Sequence, residues 1–108
     1  MPSRALTIAP DHPAFDGHFP GRPILPGVAL VAAVLEAMLG DPATAAALEA
    51  PVALRQAKFH AVVGPGAGLR IEWNEEGRRR PFTVWREGFG EGPVLALRGE
   101  FEVGTGAG

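Results

Sequence analysis

Residues Gly27 to Leu39, GVALVAAVLEAML, are apolar but for Glu36, and this run constrains everything around it. Its Ala, Leu, Val and Met residues do not segregate onto one stripe. That is the pattern of a helix buried on nearly all sides rather than one lying on a surface. At ~1.5 Å per residue the helix spans roughly 20 Å, short of the ~30 Å hydrocarbon core of a bilayer, so a membrane span is set aside. A buried rod needs a wrapping, and the remaining residues must supply it.

The segment before it, Asp16 to Pro26 (DGHFPGRPILP), is a shaped loop carrying one titratable ring, His18. Pro20, Pro23 and Pro26 fix φ at three points, while Gly17 and Gly21 permit turns that other residues resist. Upstream, Ala5 to Ile8 alternates as a short first strand, broken by Pro10, His12 and Pro13. Downstream, Gly40 stands where a helix ends, and Asp41-Pro42 opens a short Ala-rich helix through about Glu49.

From Ala53 the pattern turns to strand. Leu54 to Val63 is a second strand closed by Gly64-Pro65-Gly66, and Leu69, Ile71 and Trp73 alternate with Arg70 and Glu72 in a third. NEEGRRR (74–80) reads as a polar hairpin tip, Phe82 begins a fourth strand, and Val94 to Val103 makes a fifth. Trp73, Phe82, Trp85 and Phe101 are core candidates. One strand, a buried helix and four antiparallel strands is an α+β order: a curved antiparallel sheet of about five strands around the central helix, in one domain over 1–103. A disordered Gly-rich tail follows at 104–108. A single sheet on a single helix leaves apolar surface open, which dimerisation would cover.

The formal net charge of −2 gives no electrostatic case for nucleic acid. Without Cys there is no disulfide or thiolate chemistry, and three scattered histidines have no metal-ligand spacing, so neither metal nor cofactor is expected. GPGAG lies between two strands rather than ahead of a helix, which excludes a phosphate-binding loop. No long apolar run follows Arg4, so no secretory leader is read and the expected compartment is the cytoplasm.

The residues GHFPGRPILPGVAL resemble the active-site segment of the 3-hydroxyacyl-acyl-carrier-protein dehydratases of fatty-acid synthesis. KFHAVVGPGAGLRIE is similar to that family's strand-turn-strand, and VLALRGEFEV to its closing strand. The opening DHPAFDGHFPGRP resembles the dehydratase-like branch found in aryl-polyene clusters. The resemblance implies a hot-dog fold and loss of water from 3-hydroxyacyl thioesters held on acyl-carrier protein. His18 would be the base that takes the proton next to the thioester carbonyl, and the Gly27 N–H would hold that carbonyl, with Phe19, Pro26 and Val28 completing the substrate contacts. Arg22, Arg78, Arg79 and Arg80 are candidates for contact with the acidic carrier protein, the three-arginine run being otherwise a solvated tip. The expected assembly is a homodimer or an oligomer of dimers, with a heterodimer as the alternative.

In one respect the sequence departs from that family, which carries a Glu or Asp fourteen residues after the catalytic histidine, where this chain has Ala32. The nearest carboxyl is Glu36, on the same helical face one turn (~5.4 Å) further on. Glu36 is thus a candidate catalytic acid, or else a structural carboxylate paired with an arginine such as Arg55 or exposed at the helix end. Two other functions stay open: acyl-thioester hydrolysis on the same fold, and a non-catalytic acyl-binding or partner subunit. His12 and His60 read as structural.

Overall fold

Along the chain come β1 (Ser3–Thr7), a single 3-10 turn (Pro13–Phe15), α1 (Gly27–Leu39), α2 (Pro42–Ala47), β2 (Val52–Phe59), β3 (Gly68–Trp73), β4 (Arg79–Arg86) and β5 (Val94–Val103). A computed structural model describes residues 2–15, 24–47, 52–74, 77–88, 90 and 92–104; most of the expected Gly-rich tail and the end expected for the second helix lie outside these. The five strands form one antiparallel sheet in the order β1-β3-β4-β5-β2. No described helix is long and apolar enough to cross a membrane.

Period-two alternation sets which residues face the helix. Leu69, Ile71 and Trp73 of β3, Phe82 and Val84 of β4, and Leu97, Phe101 and Val103 of β5 are buried, and with Leu30, Val34 and Met38 of α1 they form one core. Bulges interrupt two ladders, leaving Arg55 unmatched against β5 and Ala96 unmatched against β4. Such bulges bend a strand and increase its twist, as a sheet curving round a helix requires. The Ala96 carbonyl accepts from both His60 and Ala61 N–H (2.8 and 3.3 Å), so β2 ends at Phe59 rather than running on to Val63.

Two further expectations from the sequence need correction. The helix is not buried on nearly all sides: Leu30, Val34, Ala37 and Met38 are buried, but Val28, Ala32, Glu36 and Leu39 are exposed. One sheet covers one side of a rod, and no described residue of the chain covers the apolar face opposite. Trp85 is not core either. It opposes Arg70 on the outer face of the sheet, where its Nε1–H donates to Glu72 Oε1 at 2.8 Å.

At its C-terminal end α1 passes directly into α2 through a polar relay. Asp41 Oδ2 accepts from the Thr44 backbone N–H (3.0 Å) and hydroxyl (2.6 Å), and Thr44 Oγ1 in turn accepts from Trp73 Nε1–H (3.0 Å). The Thr44 hydroxyl and then its N–H hold the Asp41 carboxyl below the ordinary carboxylate range. The relay satisfies the fully buried Thr44 and fixes the Trp73 ring.

Gly99 shows how little slack the sheet has. A Cβ there would lie 2.5 Å from Phe82 Cζ and 2.6 Å from the Gln56 carbonyl oxygen, and the second atom belongs to backbone that cannot swing aside. Gly99→Ala is therefore expected to cost about 3 kcal/mol by overpacking, read as a lower denaturation midpoint at unchanged slope. An unaltered midpoint would contradict this packing.

Candidate functional site

Pro26 closes the loop ahead of α1 with φ −60° and ψ 147°, an extended conformation that turns the chain into the helix. As a proline in the capping position it has no side-chain oxygen for the first helical N–H groups. Its carbonyl accepts from Ala29 and Leu30 (3.0 and 3.1 Å), but no described residue accepts from Gly27 or Val28 N–H. Two donors with no acceptor among the described residues therefore sit at the positive end of the helix dipole.

Those donors border an apolar groove of about 470 Å³ lined by Pro26, Gly27, Val28, Val31, Leu54, Ala57 and Phe59. The register of β2 explains it. Leu54, Ala57 and Phe59 pair with Phe101, Gly99 and Leu97, so they share the inner face of the sheet. Because β2 is an edge strand, α1 and β5 do not close over them. Val28 is 82% exposed, Phe59 49% and Leu54 46%. Two contacts fix the loops at this end: Leu25 N–H donates to the Val63 carbonyl (2.7 Å), and Arg86 Nη1 to that of Val62 (2.5 Å).

Phe59 is the residue that sequence reasoning missed. A Cβ on Gly27 would lie 2.7 Å from Phe59 Cζ, so the glycine lets this ring lie against the helix start. The only signals were its place in KFHAVVGPGAG and its parity along the strand. Leu54, Ala57 and Val31 were legible only to the same degree.

The other expected site residues divide. Pro26, Gly27 and Val28 meet at the groove. His18, Phe19 and Arg22 lie outside the described residues. Ala32 and Glu36 are both on the exposed face of α1. Nine residues separate Glu36 from Gly27, about 14 Å along the axis, so within one chain its carboxylate is remote from the helix start. It does not pair with Arg55, which instead reaches Glu100 (3.3 Å) and Glu102 (3.4 Å).

The arginine run is also split. Arg78 and Arg79 are exposed, whereas Arg80 is only 4% exposed, its Nε–H donating to the Gly77 carbonyl at 2.6 Å. Arg80 therefore points inward instead of belonging to a solvated tip. This hairpin follows Trp73, whose ring is bound to Thr44 beyond the C-terminal end of α1, so the tip and the Gly27 donors stand at opposite ends of the sheet. His12 is a turn residue, its Nδ1 accepting from Ala14 N–H at 3.0 Å. Among the described residues no three His, Asp or Glu side chains are placed to hold a metal.

Comparison with known proteins places these features in a family. The family described as ApeI-like, ApeI dehydratase, matches residues 3–91. The 3-hydroxyacyl-[acyl-carrier-protein] dehydratase FabZ of Chloroflexus aggregans is 37% identical over 93 residues, covering 82% of this chain and 60% of that protein. FabZ of Geotalea uraniireducens is 35% identical over 100 residues, covering 86% and 68%. The chain thus spans roughly half to two thirds of the length of the curated relatives it matches. Among solved structures, an uncharacterized protein from Erwinia carotovora subsp. atroseptica superposes with TM-score 0.74 at 23% identity, over 94% of this chain and 81% of that one. The dehydratase heterocomplex ApeI:P from Xenorhabdus doucetiae gives TM-score 0.68 at 23% identity, over 94% and 84%. At those identities the structures speak to the fold, which is the hot-dog arrangement of a curved sheet around one helix. With four of its five described strands and both described helices inside the matched span, the chain belongs to the ApeI-like dehydratase family.

Proposed function

We propose that the protein removes water from 3-hydroxyacyl thioesters carried on an acyl-carrier protein. The observation that carries this reading is the pair of N–H donors, Gly27 and Val28, that no described residue accepts from, at the head of an apolar groove. The thioester carbonyl accepts from Gly27 N–H, where the helix start stabilises the negative charge that develops on its oxygen. The acyl chain lies along Val28, Val31, Leu54 and Ala57, with Pro26 and Phe19 as further contacts. His18 takes the proton from the carbon next to the carbonyl. The protonated His18 then gives that proton to the departing β-hydroxyl as its C–O bond breaks, so that water leaves, the enoyl thioester forms and the imidazole is neutral again. The names of the FabZ relatives supply the substrate class, and membership of the ApeI-like family supports the reaction type.

A second copy of this chain is the partner that fits the uncovered surface. Val28, Leu39, Leu54 and Phe59 are large, apolar and exposed, beside the free edge of β2. A related subunit with the same edge would fit it as well. The reading places the reaction in the cytoplasm with its carrier-bound substrate.

The product distinguishes this reading from hydrolysis. With 3-hydroxybutyryl-acyl-carrier protein as substrate, an enoyl thioester is expected, absorbing in the near ultraviolet, with no release of free thiol. Release of thiol and 3-hydroxy acid would make the protein a thioesterase. Absence of both products with intact carrier binding would make it an acyl-binding subunit.

A further inference from the structure

Charges on the outer face of the sheet are matched at one end and unmatched at the other. Arg55 reaches Glu100 and Glu102, Arg70 lies 3.7 Å from Glu72, and Arg79 stands opposite Glu102 in the β4–β5 register. Lys58 and Arg98 break the pattern. They oppose each other directly in the β2–β5 register, both are exposed, and neither forms an ion pair with a described residue. Across β5 the next residue in the row is the neutral Thr83. Like charges placed directly opposite on a sheet are destabilising. The described outer face carries Arg55, Lys58, Arg70, Arg79 and Arg98 against Glu72, Glu87, Glu100 and Glu102, with Glu87 beside Arg70 and Glu72 and away from the Lys58–Arg98 pair, in a chain whose formal net charge is −2.

The place of the mismatch gives it meaning. Lys58 immediately precedes Phe59, whose ring lies over the start of α1, so the cationic pair sits at the groove end of the sheet. The Arg78-Arg79 tip is at the other end. A repulsive pair costs stability whenever it is unoccupied, and an acidic partner would convert that cost into attraction and faster encounter.

We propose that Lys58 and Arg98 form the docking surface for an acidic acyl-carrier protein, which sends its thioester arm over the end of β2, past Phe59, into the groove. This rests on the function proposed above. Two copies joined along β2 would keep both side chains outside and bring two such pairs onto one continuous face.

The test is a titration of the wild type and of the Lys58→Glu, Arg98→Glu double variant with 3-hydroxybutyryl-acyl-carrier protein, alongside turnover of 3-hydroxybutyryl-N-acetylcysteamine. Charge reversal is expected to weaken carrier binding at least about tenfold, with turnover of the small thioester kept within about twofold. The wild-type affinity should fall steeply as salt shortens the Debye length from about 10 Å at 0.1 M. Lys58→Gln with Arg98→Gln, which only removes the repulsion, should weaken binding without lowering the melting temperature. Equal binding by wild type and double variant would overturn the docking surface. So would loss of binding from Arg78→Glu with Arg79→Glu instead, or a change of oligomeric state in place of a change in carrier affinity. Carrier binding with the expected charge dependence but no turnover of either thioester would leave the docking surface standing and remove the dehydratase reading.

Discussion

His18→Ala is expected to lower turnover of a 3-hydroxyacyl thioester about a thousandfold, within the range a positioned general base supplies, while the melting temperature stays within a degree or two of wild type. The proton next to a thioester carbonyl is weakly acidic, so its removal needs both a base and a stabilised oxyanion. On the proposed reading the Gly27 and Val28 N–H groups, which have no acceptor among the described residues, offer the second. For the first, the sequence offers one imidazole in the segment leading to them, between Gly17 and Phe19. Imidazole is the side chain whose ordinary titration falls near neutral pH, so it can accept a proton and release it again. His12 and His60 are poor rivals, the one committed to its own turn and the other exposed at the end of β2. The measurement is single-turnover formation of enoyl thioester, with affinity for a non-reactive acyl-carrier protein as the check on folding. Turnover within threefold of wild type would remove His18 from the chemistry. A parallel loss of binding would make it a loop-shaping residue instead.

Much of the fold was legible because its signals are local. Alternation at Leu69, Ile71 and Trp73 and the Gly64-Pro65-Gly66 turn each carry their own period or breaker. What eluded the sequence depends on partners distant along the chain. The end of β2 is set by the Ala96 carbonyl thirty-odd residues away, and the outward turn of Trp85 by its register against Arg70. Helical burial was misjudged for a related reason. An apolar run such as GVALVAAVLEAML looks the same whether its second face meets the same chain or another one. At the site, Gly27 was found as a helix start with free donors, but the ring lying against it was not, since only the β2–β5 register turns Phe59 inward. Arg80 reads as one of three equal cations until strand parity buries it.

Ala32→Glu is expected to raise dehydration about a hundredfold, because a second proton-transfer group is worth roughly that much. In the active-site pattern of the 3-hydroxyacyl-acyl-carrier-protein dehydratases that this segment resembles the position holds an acid, and Ala32 can neither give nor take a proton. It stands about 7.5 Å along the axis from Gly27, against about 14 Å for Glu36. Because Ala32 is exposed on α1, a longer side chain there needs no repacking of the core. The cost is small: a few tenths of a kcal/mol for a second carboxylate one turn from Glu36, and about as much for helix propensity. Ala32→Gln has the same size and cannot act as an acid, so it should leave the rate unchanged. Glu36→Gln completes the test. If Glu36, from either subunit, already serves as that second group, then its removal lowers the wild-type rate and Ala32→Glu adds little. A wild type insensitive to Glu36→Gln but accelerated by Ala32→Glu would show that the chain holds its substrate correctly and lacks only a second group to help protonate the leaving oxygen.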